Sequence, residues 1–215
     1  MTTIVDYTTL QAAVTEYLGR DYDTTFAARV PTFIQLAEAK FNRGLFSRRM
    51  ETVYSTTMTP SVSTVALPSD YQSMRRVRIS SGAPLGKPFL TYISGPDMDD
   101  FRVEIADTTD LPIYFNIYGS NLEVAPTPDQ AYTIEMTYRQ LIPALASNST
   151  NWLLTLAPDA YLYGALMEAA PYMQDDDRVQ VWAMGLQTAI DGLNNLNLKS
   201  AYGGPLQMRT VGVNP

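Results

Sequence analysis

The stretch APDAYLYGALMEAAPYMQDDDRVQVWAMGLQTAIDGLNNL, residues 157–196, decides how the rest of the chain is read. Its second half carries the most regular apolar pattern in the sequence. Val179, Trp182, Leu186, Ala189, Leu193 and Leu196 follow one another at alternating spacings of three and four. That is the seam of a helix about 30 Å long that packs against another helix. Burying those six side chains is worth on the order of 10 kcal/mol before conformational entropy is counted. The first half is different. A helix is expected from about Pro158, a favoured first-turn residue. Leu162, Ala165, Leu166 and Ala169 form one apolar face, but Tyr161, Tyr163 and Met167 occupy the others. A helix apolar on all sides is normally buried on all sides. Pro171 is expected to break or kink it. Between the halves stand Asp175, Asp176 and Asp177. Adjacent helical residues point about 100° apart, so three in a row do not surround one ion. The triplet reads as a helix start: Asp175 accepts a free backbone N–H, and its neighbours face the positive end of the dipole.

The other end of the chain offers matching surface. Asp6 is placed to cap a first helix bearing Tyr7, Leu10, Val14 and Tyr17, closed by Gly19. A second segment starts near Asp23, and Pro31 either kinks it or begins a new helix. After Pro31, Ile34, Ala37, Phe41 and Leu45 form one stripe, with Arg43, Arg48 and Arg49 near its C-terminal end. Residues 51–141 change character. In YTIEMTYRQ, Tyr132, Ile134, Met136 and Tyr138 alternate with Thr133, Glu135, Thr137 and Arg139, the period of a strand. PIYFNIYG and NLEVAP flank Gly119-Ser120-Asn121 as a hairpin, and APTPD (125–129) is a further turn. Three antiparallel strands are therefore expected from about 112 to 140. Earlier candidates are 51–58, 62–67 and 74–80, and Ser94-Gly-Pro-Asp97 opens a short helix. Asn151 caps a turn through NWLL. From Ala201 on, AYGGPLQMRTVGVNP has no period and reads as an extended arm.

The fold class that follows is α+β. A helical bundle is built from 1–50 and 142–200, an antiparallel β domain (51–141) is inserted, and an arm spans 201–215. The 215 residues carry a formal charge of −7 and contain neither Cys nor His. Disulfides, thiolate metal sites and Cys nucleophiles are excluded. So are the usual general base near neutral pH and the commonest metal ligand. No cofactor and no enzymatic activity are expected. An acidic chain binds DNA phosphate poorly. The start MTTIVDYTTL lacks the basic and then apolar pattern of a signal peptide, and Gln140–Pro158 is too polar to span a membrane. A soluble intracellular or particle-bound protein is expected.

Other candidate sites reduce to simpler readings. Asp97, Asp99, Asp100 and Glu104 lack the glycine and further ligands of a calcium loop and read as a solvated helix face. SGAPLGKP, with Gly82 to Pro88, has three residues between its glycines where a phosphate loop needs four, and Pro88 follows Lys87. Arg75, Arg76 and Arg78 lie on a strand, Arg76 and Arg78 facing one way, as a solvated face, as ion pairs or as a contact for acids or phosphate. Glu123 and Glu135 fall on neighbouring predicted strands, the arrangement a glycosidase needs, but nothing marks a sugar cleft. Asn148-Ser149-Thr150 is a short glycosylation match of the kind that arises by chance.

Four segments together resemble a known family: FIQLAEAKFNR (33–43), LPSDYQSMRRV (67–77), YGSNLEVAPTPDQAYTIEMTYRQLIPAL (118–145) and TNWLLTLAPDAYLYGALMEAAPYMQDDDRVQVW (150–182). The resemblance is to the head-to-tail adaptor proteins of tailed bacteriophages, of the short-tailed-phage type, also called head-completion or tail-tubular proteins. It covers about residues 25–200. It implies a structural virion protein forming a ring, commonly of twelve copies, between the portal and the tail nozzle at the neck, assembled in the host cytoplasm. DNA would pass through the lumen without specific binding. The C-terminal arm would dock on the portal, with Tyr202, Leu206, Met208, Val211 and Val213 as its apolar contacts. A competing expectation is a phage tail component whose β domain contacts or weakly hydrolyses carbohydrate, with Tyr114, Phe115, Tyr118 and Tyr132 stacking on sugar rings. A DNA-binding protein is disfavoured by the charge.

Overall fold

The computed structural model describes residues 3–82, 89–106, 108–173 and 178–201. The chain divides into two units, Met1–Arg49 with Ile142–Pro215, and Met50–Leu141. In the first unit, Asp6 caps helix α1 (Tyr7–Tyr17): its side chain accepts from the Thr9 N–H at 2.8 Å, and Thr9 Oγ1 accepts from the Asp6 N–H at 2.9 Å. Gly19 follows with φ +63°, a left-handed conformation that glycine adopts without strain. The segment from Asp23 is two helices. Asp23 caps the single turn α2 (Thr24–Ala27), and Pro31 lies in the first turn of α3 (Val30–Gly44), where its missing N–H costs nothing. Ile34, Ala37, Phe41 and Leu45 are all buried.

Asn151 caps α5 (Trp152–Leu156), and α6 (Pro158–Met173) follows directly. Helices α1, α3, α5 and α7 (Val179–Ala201) all pack on α6, which explains why it is apolar on every side. Gly164 is the point of closest approach. A Cβ there would stand 2.9 Å from Phe41 Cζ and 3.1 Å from Ala37 Cβ, so the absent side chain lets α3 and α6 meet. On the other side, Tyr163 lies against the backbone of α7, its ring 3.0 Å from where a Gly185 Cβ would sit.

Two expectations for this unit are corrected. Of the break or kink expected at Pro171, the break does not occur there: helix α6 runs through Pro171 to Met173. Proline there forfeits the bond to the Met167 carbonyl. Along α7, Trp182, Leu186, Ala189 and Leu193 are buried and Val179 is half-buried, but Leu196 is 54% exposed. Helix α7 has 23 residues against 16 in α6. It is therefore longer by about 10 Å, and Leu196 lies toward its C-terminal end.

The second unit holds two main sheets. Strand β9 (Thr133–Gln140) runs between β1 (Glu51–Thr57) and β3 (Tyr71–Ser81), antiparallel to both. The other sheet is ordered β2 (Thr64–Ala66), β7 (Asn121–Ala125), β6 (Tyr114–Tyr118), β4 (Thr91–Tyr92), with β4 parallel to β6. A short parallel pair joins β5 (Thr109–Asp110) to β8 (Thr127–Pro128). The sheets are thus mixed, not wholly antiparallel. The expected three strands between 112 and 140 do not form one meander. Strands β6 and β7 pair through Gly119, at φ +58°, whereas β9 leaves for the other sheet. Its apolar face finds its complement there, with Ile134 opposite Ile79 and Met136 opposite Val77. One core joins both sheets, from Val77, Ile79, Ile134 and Met136 to Phe115, Leu122 and Val124. Helix α4 (Gly95–Glu104) is capped by Ser94 and packs on β6 and β7.

Candidate functional site

The helical unit is locked by a polar cluster that the apolar pattern hides. Glu38 lies on α3 beside the buried stripe and is 7% exposed. Its Oε1 accepts from the Leu145 N–H at 2.8 Å and from the Tyr161 hydroxyl at 3.3 Å. Asn151 donates through Nδ2 to the Tyr161 oxygen at 2.7 Å and to the Pro143 carbonyl at 2.8 Å, while its Oδ1 accepts from the Leu154 N–H. Asn42 accepts from the Ile142 N–H at 2.8 Å. The side chains of α3 thereby satisfy backbone groups of the segment that re-enters the unit at residue 142. The signal in the sequence was a single acid next to an apolar stripe; Asn151 was legible only as a cap.

Burial holds the Glu38 carboxyl above its ordinary range, against the two hydrogen bonds that lower it, and burial likewise raises the Tyr161 hydroxyl. A carboxyl with a raised folded-state pKa destabilises the fold wherever it must be ionised. That cost is fully present above the folded pKa and disappears as pH falls toward the unfolded value of 4.5. Glu38→Gln retains an acceptor without the charge. It is expected to match or exceed the parent at pH 7 by up to about 1 kcal/mol, with the advantage vanishing near pH 4. Urea unfolding at both pH values checks this.

The arginines of β3 are engaged within the unit. Arg78 pairs with Glu135, its Nε donating at 2.8 Å, and Arg75 pairs with Glu51 at 3.1 Å. Arg76 lies over the Phe89 ring, 5.5 Å from its centroid. Pairing with β9 skips Arg75, so a bulge interrupts strict alternation there. Glu123 and Glu135 are not on neighbouring strands. They sit in different sheets, and each faces an arginine, Arg102 at 3.1 Å for Glu123 and Arg78 for Glu135. Sequence adjacency of β7 and β9 suggested the pair, and sheet order separates it.

Of the four aromatics considered for sugar stacking, Tyr132 is buried with its hydroxyl donating to Asp129 at 2.6 Å. Phe115 is in the core, and Tyr114 packs edge-on against Phe101 at 4.9 Å. Only Tyr118 stands out, 77% exposed. Asp97, Asp99, Asp100 and Glu104 are all exposed on α4. Among the described residues no group of three acids is placed to hold a metal, and no helix is long and apolar enough to cross a membrane. Asp175, Asp176 and Asp177, residues 83–88 of the glycine-containing loop, and the arm residues Tyr202, Leu206, Met208, Val211 and Val213 lie outside the described residues.

The described residues present a close-packed helical unit, an inserted sheet unit in which Glu51, Glu123 and Glu135 pair with arginines, and apolar side chains turned outward on α7, with Val181 65% and Met184 72% exposed. No curated protein matches the sequence. A family model, that of the SU10 adaptor protein, matches residues 5–209, nearly the whole chain. The chain belongs to this family of phage head-to-tail adaptors, which makes it a structural component of a virion.

Proposed function

We propose that copies of this chain assemble into a ring at the neck of the virion, joining the portal to the tail nozzle and enclosing the channel through which DNA passes. Twelve copies is the number the resemblance implies. The family match over residues 5–209 is the observation that carries this reading. Two features support it. Tyr172, Val181, Met184 and Leu196, all between 52% and 72% exposed, put apolar side chains on the surface of the C-terminal helices, as a contact between subunits requires. Each copy brings a formal charge of −7, so a lumen of that sign repels phosphate and lets DNA slide.

In this reading residues 201–215 dock on the portal through Tyr202, Leu206, Met208, Val211 and Val213, and ordering the arm is paid from burial of those side chains. The test is capture of the purified full chain, and of a chain ending at residue 200, on an isolated portal ring, followed by mass measurement. The full chain is expected to bind as a ring, and truncation to weaken binding by about a hundredfold or more, in line with the loss of several buried apolar anchors. Unchanged affinity after truncation would sink the docking role, and failure of the full chain to bind would sink the adaptor placement itself.

A further inference from the structure

Strands β6 and β7 have a second face that the core does not use. Alternation sends Phe115 and Ile117 into the core and leaves Tyr114, Asn116 and Tyr118 on the opposite side. Register sets Asn116 beside Glu123 and Tyr118 beside Asn121, and brings Thr64 of β2 opposite Glu123. Helix α4 covers only one end of this face, where Phe101 meets Tyr114 and Arg102 meets Glu123. The helix starts at Gly95. Beside its first turns the described residues leave a cleft of about 430 Å³, whose lining includes Thr64, Asp99, Asn116, Tyr118, Asn121 and Glu123. That volume falls within the range of small-molecule sites, about 300–1,000 Å³.

The lining is specific in chemistry. Asn116 is 8% exposed in the middle of a strand, a position where an apolar residue would suffice. Its Oδ1 accepts from the Ile117 N–H at 2.8 Å, which fixes the amide plane. Its Nδ2 lies 3.5 Å from where a Gly95 Cβ would project, at the edge of the cleft. Glu123 is positioned by Arg102, which also donates to the Val124 carbonyl at 2.8 Å and to Thr127 Oγ1 at 3.2 Å. Tyr118 adds a flat, exposed ring. Two carboxylates, Asp99 and Glu123, disfavour an anionic ligand, and a wholly apolar one would leave the carboxylate and amide groups without partners. A metal cation is not favoured either, because Arg102 neutralises Glu123 and, among the described residues, no third acid converges.

The amides of Asn116 and Asn121, the two carboxylates and the exposed Tyr118 ring suit a neutral polyhydroxylated ring. Its hydroxyls donate to carboxylate and amide oxygens and accept from the amide N–H groups, while its C–H face rests on the tyrosine. We propose that this cleft binds a neutral carbohydrate unit of one or two rings, a function beyond the adaptor role. It needs only Tyr118 of the aromatics considered earlier, and no hydrolysis.

Saturation-transfer NMR on the full chain tests it, with maltose, cellobiose, lactose and N,N′-diacetylchitobiose each titrated to about 10 mM, a range that reaches weak sites. At least one disaccharide is expected to bind saturably. Tyr118→Ala and Asn121→Ala, both at exposed positions, are expected to weaken it by about tenfold or more, whereas Tyr22→Ala, at a fully exposed tyrosine of the other unit, changes it by less than about twofold. Absence of saturable binding to all four sugars overturns the proposal. So does binding by Tyr118→Ala within about twofold of the parent, or an equal loss in Tyr22→Ala.

Discussion

Tyr161→Ala is expected to remove about 5 kcal/mol or more from the stability of the helical unit, enough to unfold a unit of ordinary stability. Tyr161 is fully buried on α6, with its ring edge-on to Phe41 at a centroid distance of 5.2 Å. Truncating a large buried aromatic ring costs about 3–5 kcal/mol through lost transfer energy and the cavity left behind. The remainder comes from the hydroxyl. It donates to Glu38 and accepts from Asn151, and both of those side chains are themselves less than 9% exposed. Leaving buried polar groups short of a partner adds about 1–3 kcal/mol. Tyr161→Phe separates the two parts: it keeps the ring and is expected to cost only about 1–2 kcal/mol. Urea unfolding monitored by tryptophan fluorescence reports on this unit directly, because Trp152 and Trp182 both belong to it. A loss below about 2 kcal/mol in Tyr161→Ala would show that the site collapses around the gap and that α6 does not depend on this ring.

The second large effect belongs to the sheet unit. Arg102→Ala is expected to cost about 2–4 kcal/mol and to loosen α4 from the sheet. The guanidinium spans from the helix to Glu123, Val124 and Thr127, ending on a carboxylate, a backbone carbonyl and a hydroxyl. Its side chain is only 16% exposed, so water replaces these bonds poorly. Removing it leaves the Glu123 carboxylate half-buried without its counter-charge. Arg102→Lys should recover little, because an ammonium cannot reach three acceptors in a fixed fork. Amide exchange is the discriminating measurement. Protection in residues 95–104 should fall much more than in β9, which draws its burial from Ile134, Met136 and Tyr138. Equal loss in both would mean that Arg102 supports the whole unit rather than the helix.

Local pattern was a good guide wherever one element determines its own form. The cap residues Asp6, Ser94 and Asn151 act through groups three positions away, so their role is readable from spacing alone. The same holds for the period of β9 and the stripe on α3. Partnership was less legible. Alternation in β9 says that one face is apolar, but not that its neighbours are β1 and β3 rather than β7. The misplaced Glu123–Glu135 pair and the outward turn of Leu196 have the same origin, since each depends on what another segment places opposite. The buried cluster at Glu38 was hidden for a further reason. Its partners are separated from it by 107 and 123 positions, a distance over which no periodicity carries information.

The way Asn42 and Glu38 receive the backbone at Ile142 and Leu145 has a consequence for synthesis. The covering surface for α3 lies far downstream, beyond the whole of the sheet unit: α3 ends at Gly44 and α6 begins at Pro158. At ordinary elongation rates of about 5–20 residues per second, the oily side of α3 waits on the ribosome for several seconds before α6 emerges to meet it. The sheet unit, contiguous in the chain, can fold during that pause. The nascent helical half is then the part that needs a chaperone, and slowing translation after residue 141 prolongs its exposure.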